Sequence, residues 1–214
     1  MNAAVITLLG IVGLGAASVA VLRVASRHRA TACPPWLIPL LENPYMNALA
    51  GSRLLLDRAR VESGMSVIDV GSGPGRLTIP AAARVGREGR VVALDLQAAM
   101  IRRLEERIAE RGIDNVELIL AGAGNGRMPR GAFDRAFLVT VLGEIVDQAA
   151  ALQEIYAALR PGGILSVTEV LPDPHFQSRP RVRRLAEAAG FEFEQVMGTW
   201  YAFTMNLRKP GASG

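Results

Sequence analysis

The 214-residue chain contains one cysteine, Cys33, and two histidines, His28 and His175. A single cysteine excludes an internal disulfide framework and suits a reducing compartment. Three such residues cannot build an ordinary zinc site, so no metal is expected. Aromatic residues make up only 5% of the chain, and no basic run is interleaved with them. The net charge of +4 therefore reads as arginine scattered over solvated helices, and no nucleic-acid partner is expected. Internal repeats and low-complexity stretches are absent.

Hydrophobic residues, by contrast, make up half the chain, and mean hydropathy is +0.24. The excess lies at the N-terminus, where Ala3 to Leu22 carries no charge. Twenty helical residues span about 30 Å, the thickness of a bilayer core. Basic residues follow the run (Arg23, Arg27, Arg29) and none precedes it. That polarity is the reverse of a cleaved secretory signal. By the positive-inside rule it predicts a single-pass membrane protein with the domain that follows on the cytoplasmic side. The alternative is a buried helix of a soluble protein. Gly10, Gly13, Gly15, Ala16 and Ala20 form a small-residue face that would pair two such helices into a homodimer.

Three regions follow from this pattern: residues 1–30 as anchor and basic flank, 31–62 as an amphipathic helical segment, and 63–214 as one α/β domain. In the second region Trp36 and Tyr45 would sit at headgroup level. The same stretch also reads as a helix packed over a sheet, and both readings can hold together.

From Gly64 the pattern alternates. Strands are expected at 66–70, 90–95, 116–120, 134–141 and 164–171, and helices at 75–86, 97–111 and 147–160. A helix at 181–189 and two hairpin strands, 191–197 and 200–208, complete it. This alternation implies a mostly parallel sheet with helices on both faces. The chain is organised around Val67-Ile-Asp-Val-Gly-Ser-Gly-Pro-Gly75, a strand that breaks into a glycine turn and then a helix. Such a turn lets backbone approach a ligand closely. Its spacing, Gly71-x-Gly73-x-Gly75, departs from the dinucleotide pattern. Asp95 ends the second strand, where an acid can accept hydrogen bonds from two ribose hydroxyls. A ribose-bearing ligand without a pyrophosphate is expected. Asp95 also stands where it could cap the following helix.

These residues resemble class I S-adenosylmethionine-dependent methyltransferases, in the branch acting on lipids and quinones. Val67 to Gly75 is similar to the family's first motif, and Val92-Ala-Leu-Asp-Leu96 to its second. Gly131-Ala-Phe-Asp-Arg-Ala-Phe-Leu-Val139 is similar to the fourth-strand segment, and Leu159-Arg-Pro-Gly-Gly-Ile-Leu165 to the turn into the fifth strand. The resemblance implies a seven-stranded Rossmann-like sheet of order 3-2-1-4-5-7-6, its last strand antiparallel, and S-adenosyl-L-methionine as cofactor. It implies cofactor contacts at Asp69, Gly71, Ser72, Gly73, Gly75, Asp95, Leu96, Gly122, Ala123 and Thr140, with Leu96 packing on adenine. One departure stands out. Relatives usually carry Gly-Asp-Ala after the third strand, and here Gly122 occupies the place of the acid that binds adenine. Either Asn125 substitutes for it, or stacking and backbone contacts hold the base.

Methyl transfer from a sulfonium needs alignment first, and a base only if the nucleophile must lose a proton. Glu144 and His175 are the candidate catalytic residues, and Glu169 and Tyr201 also fall near strand ends. Glu144 reads equally as an acid at a helix start, and His175 as a loop histidine. Tyr45, His175 and Tyr201 are candidate acceptor contacts. No Asn-Pro-Pro-Tyr motif is present, which disfavours the DNA and glutamine N-methyltransferases. The expected acceptor is an apolar, membrane-associated small molecule or lipid. A soluble acceptor and a non-catalytic scaffold are the alternatives.

Overall fold

The computed structural model describes residues 48–211. Its elements run α1 (Ser52–Arg58), β1 (Ser66–Val70), α2 (Thr78–Val85), β2 (Arg90–Asp95), α3 (Ala98–Glu110), β3 (Val116–Leu120), β4 (Phe133–Val139), α4 (Gln148–Ala158), β5 (Leu159–Val170), α5 (Arg179–Ala188), β6 (Glu192–Gly198) and β7 (Ala202–Arg208). The seven strands form one sheet of order β3-β2-β1-β4-β5-β7-β6. The first five are parallel, and β7 runs antiparallel to both β5 and β6. The order and the α/β class agree with expectation.

Strand β1 is buried along its whole length, as a central parallel strand covered on both faces must be. Side chains alternate across it, so Ile68 and Val70 enter one core and Val67 the other. The first core lies beneath α4 and α5, with Phe133, Leu138, Leu152, Ile155, Val182 and Phe203. The second lies beneath α1 and α2, with Leu55, Leu56, Ala81, Val85 and Phe137. Helix α1 thus packs on the sheet. Arg58 donates to Thr204 Oγ1 at 2.9 Å, and Arg84 donates to Asp57 at 2.7 Å. Helix α1 therefore shares a core with β1 and α2, across the expected division at residue 63.

Strand β5 begins earlier than expected. Leu159 pairs with Phe133 and Ile164 with Arg135, so Pro161, Gly162 and Gly163 fall inside the strand, where its register with β4 shifts. The residue pattern had placed them in a turn. Pro161 is tolerated because the irregular stretch makes fewer ladder bonds. Among the described residues no helix is long and apolar enough to cross a membrane. The expected span, Ala3 to Leu22, lies outside the described residues, as do Trp36 and Tyr45.

Candidate functional site

Parallel strands bring their loops to one end of the sheet. Val70 lies level with Leu94 and Leu138, and Val139 with Thr168. The chain leaving β1, β2, β4 and β5 therefore emerges side by side, and a ligand site at a carboxyl edge is the general rule for such sheets.

The loop after β1 is drawn tight. The amides of Gly71 and Ser72 both donate to Leu94 O, at 2.7 and 3.1 Å. Gly71 and Gly73 have φ of +75° and +53°, which glycine adopts without penalty. Their surroundings differ. A Cβ on Gly71 would stand 2.6 Å from Val141 Cγ2, whereas one on Gly73 would meet nothing within 4 Å. Gly71 is required by packing against the β4 loop, and Gly73 faces open space. Gly75 is required by its φ of +88°, and a Cβ there would also press on Leu104 Cδ1 of α3. Ser72 is buried, and its Oγ has no partner.

Asp95 stands opposite. It is 6% exposed, accepts from Gly73 N at 2.9 Å through Oδ2 and from Gln97 N at 2.8 Å through Oδ1. Burial pushes its pKa up, and three backbone donors, the amides of Gln97, Gly73 and Leu96, pull it back. A carboxylate has about four lone-pair sites, so these donors leave it room for a further hydrogen bond. The helix-cap alternative holds only in this local form: residue 97 occupies the cap position of α3, and its side chain makes no capping bond. Leu96, next in sequence, is 61% exposed.

Asp69 has turned the other way. It is buried, and accepts from Thr78 Oγ1 of α2 at 2.6 Å. Desolvation raises its pKa to about 6, against the pull of that hydrogen bond. Gly122 and Ala123 open the loop after β3. The Asn125 amide lies beside Gly122, with Nδ2 3.3 Å from the place a Cβ would take. Thr140 has φ of +55°, an outlier for a β-branched residue. It is held by its amide on Thr168 O at 2.8 Å and its hydroxyl on Val139 O at 2.7 Å.

The two candidate catalytic residues lie on neighbouring loops. Glu144 ends a 3₁₀ turn, Leu142–Glu144. His175 is engaged through its backbone: its amide donates to Asp173 Oδ1 at 2.6 Å, and its carbonyl accepts from Gln177 Nε2 at 2.6 Å. That carbonyl presses on Gly143, where a Cβ would overlap it. Glu169 lies beneath, 1% exposed, with Oε2 accepting from Gln177 N at 3.0 Å and Oε1 without a partner. Burial raises its pKa well above the ordinary glutamate value, and the charges of Asp173 and Glu144 add to that shift. Tyr201 is half-buried just before β7, and its carbonyl accepts from Leu171 N at 2.8 Å. Tyr45 lies outside the described residues.

Several supporting residues carried no sequence signal. Glu154 of α4 receives the amides of Gly124 at 2.5 Å and Met128 at 2.8 Å, and so shapes the loop after β3. Arg107 of α3 donates to Pro74 O at 2.8 Å and steadies the glycine turn. Thr78 and Gln177 act in the same way. Among the described residues no group of three or more His, Cys, Asp or Glu side chains could hold a metal ion.

Residues 61–201 match a family model described as a methyltransferase domain. The chain belongs to this family. The methyltransferase domain is similar to the ubiquinone/menaquinone biosynthesis C-methyltransferase UbiE of Hahella chejuensis (strain KCTC 2396), with 31% identity over 151 residues, 70% of this chain and 59% of the relative. It is also similar to the nocamycin O-methyltransferase of Saccharothrix syringae, with 33% identity over 123 residues, 58% of this chain and 44% of the relative. The chain thus spans about half the length of the curated relatives it matches. The fold is that of a SAM dependent methyltransferase from Aquifex aeolicus, with a TM-score of 0.76 at 24% identity, covering 83% of this chain and 99% of that one.

Proposed function

We propose that the methyltransferase domain binds S-adenosyl-L-methionine at the carboxyl ends of β1 and β2 and transfers its methyl group to an apolar acceptor reached from a membrane. The observation that carries the cofactor reading is the pairing of Asp95 with open space over Gly73. The residues present fit the cofactor. Asp95 keeps acceptor capacity for a ribose hydroxyl, the orphaned Ser72 Oγ can bond a polar ligand atom, and exposed Leu96 offers a face to adenine. When bound, the cofactor supplies a methyl group already activated on a sulfonium. The protein's own tasks are then to align the acceptor and exclude water. Loops 140–145 and 171–178, locked together at Gly143 and His175, would do this. Where the acceptor must lose a proton, Glu144, Glu169 and His175 are the titratable groups at hand.

An apolar acceptor is supported by the quinone-pathway relative, by the charge-free run Ala3 to Leu22, and by exposed apolar side chains at this end of the sheet: Leu96, Val146 and Trp200. Attachment through that run, with the domain in the cytoplasm and helices paired through its small-residue face, belongs to the same proposal. The O-methyltransferase relative favours the second reading, a soluble small-molecule acceptor. Calorimetric titration of the detergent-solubilised full chain with S-adenosylmethionine and S-adenosylhomocysteine tests the cofactor. Binding lost in Asp95→Ala supports the reading, and absence of binding by the folded wild type overturns it. Transfer of labelled methyl to a prenylated quinol in phosphatidylcholine vesicles tests the acceptor. Full-rate transfer only to soluble phenols after removal of residues 1–30 would replace it with the second reading.

A further inference from the structure

The β6–β7 hairpin ends on an indole that the described residues leave bare. Trp200 is 72% exposed, and among the described residues its only ring contact is the edge of Tyr201, with centroids 5.4 Å apart and planes at 83°. An aromatic pair of this size gains little from water, and a tryptophan–tyrosine pair is the combination enriched at membrane–water interfaces.

The tip is not isolated. Arg179, the first residue of α5, donates from Nη2 to Gly198 O at 2.8 Å, and its guanidinium lies 5.4 Å from the Phe203 ring centre. Arg181 reaches Gln148 Oε1 at 3.1 Å, and Gln148 Nε2 donates to Leu142 O at 2.8 Å. Val146, 87% exposed, stands two residues before Gln148. These bonds tie the hairpin tip, the first turn of α5, the start of α4 and Val146 into one rim beside the loops of the site.

The rim's charge is one-sided along α5. Arg179, Arg181, Arg183 and Arg184 fall within its first six residues, and the first acid, Glu187, is bound to Arg183 at 2.7 Å. The acids facing the rim from other elements are Asp147, whose carboxylate caps α4 through Ala150 N, and Glu144 and Asp173 in the loops. An exposed indole beside clustered arginines matches the two layers of an anionic bilayer surface, apolar below the headgroups and negative at them. Leu96, Leu120, Val146 and Trp200 all lie at the carboxyl end of the sheet, while Phe193, the fifth large exposed hydrophobic, is covered by Arg183 at 4.6 Å.

We infer that the hairpin tip and the first turn of α5 form a membrane-contact surface, distinct from the N-terminal apolar run, that seats the mouth of the site in the headgroup layer of an anionic bilayer. This rests on the membrane reading above, and adds the face that meets the lipid. Seating Trp200 there orients the loops after β4 and β5 toward the lipid, so an apolar acceptor passes between bilayer and site without crossing water.

The chain has two tryptophans, so Trp36→Phe leaves Trp200 as its sole indole. The full-length variant is reconstituted into vesicles of phosphatidylcholine with phosphatidylglycerol, with and without bromine on the acyl chains. Trp200 is expected to lose most of its emission to brominated lipid and to resist aqueous iodide. In Arg181→Gln/Arg184→Gln the bromine quenching should fall to the level seen in pure phosphatidylcholine. Iodide quenching without bromine quenching overturns the inference. Protection from both quenchers also overturns it, since the chain's own residues or a second copy would then cover the tip. S-adenosylhomocysteine titration of the same samples separates the readings. Binding with an aqueous Trp200 removes the hairpin surface alone, whereas a lipid-buried Trp200 without binding removes the cofactor alone.

Discussion

The two ends of the sheet are built by different rules. At the amino end, polar side chains tie backbone to backbone across elements distant in sequence. Asp134 accepts from Ser66 N at 2.8 Å and from Arg160 at 2.6 Å. Asn115 donates to Ala82 O and Gly86 O, and Lys209 to Tyr156 O and Leu159 O. Arg135 donates to Ala59 O and Arg60 O. At the carboxyl end Ser72 Oγ and Glu169 Oε1 have no partner, Thr140 sits at positive φ, and large apolar side chains face out. A buried polar group without a partner costs free energy. A fold tolerates such groups where a ligand supplies what is missing. The amino end secures the structure through these cross-links, and the carboxyl end leaves Ser72 Oγ and Glu169 Oε1 unpartnered beside the site. Ser166 Oγ and Asn206 Oδ1, also unpartnered, are instead enclosed within the β5–β7 ladder.

Substitutions at the two ends should therefore separate affinity from stability. The largest effect is expected for Asp95→Ala, which removes two charged acceptors and weakens S-adenosylhomocysteine binding by about 3 kcal/mol, roughly a hundredfold in Kd. Calorimetry measures it, and an unchanged Kd would break the comparison at its strongest point.

Asp69→Asn tests the buried carboxyl between the ends. Its folded pKa of about 6 lies above the ordinary 3.8. The native state therefore holds a proton that the unfolded chain has released. Wild-type stability should be highest below pH 3.8 as far as this group is concerned, and should fall as pH rises to about 6, by about 3 kcal/mol in all. Urea denaturation across that window should show a flatter curve for the variant. Glu169→Gln should flatten the profile in the same direction, in a window that opens at the ordinary 4.5 and reaches well above it.

Asp134→Ala should cost about 2 kcal/mol of unfolding free energy by orphaning Ser66 N, with cofactor affinity unchanged. A matching loss of affinity would show that the two ends are coupled. The smallest effect is expected from Gly122→Asp. It supplies an acid beside the expected adenine position and displaces the Asn125 amide slightly. A gain of about 1 kcal/mol, roughly fivefold in Kd, should follow.

The sequence announced the carboxyl end far better than the amino end. The turn from Val67 to Gly75 and the acid at Asp95 are adjacent along the chain, so their spacing alone suggests a ribose site. The strand order came from the family resemblance, since alternation yields a parallel sheet but not its permutation. Asp134, Asn115 and Lys209 passed unnoticed, because each acts on backbone from 29 to 68 residues away and any surface polar residue looks the same in a linear pattern. Glu154 was missed for the same reason. Gly71, Gly73 and Gly75 read as one motif and share a positive φ, yet their surroundings differ: contact with Val141, open space, and contact with Leu104. Pro161 to Gly163 read as a turn because local chemistry favours one, and pairing with β4 overrode it.

The contact between Gly143 and the His175 carbonyl has an evolutionary consequence. No side chain larger than hydrogen fits at residue 143 while residues 173–177 keep their path. The loops after β4 and β5 therefore cannot drift apart in sequence independently. A descendant that changes one must rewrite the other in the same lineage, so the two loops are inherited as a paired cassette.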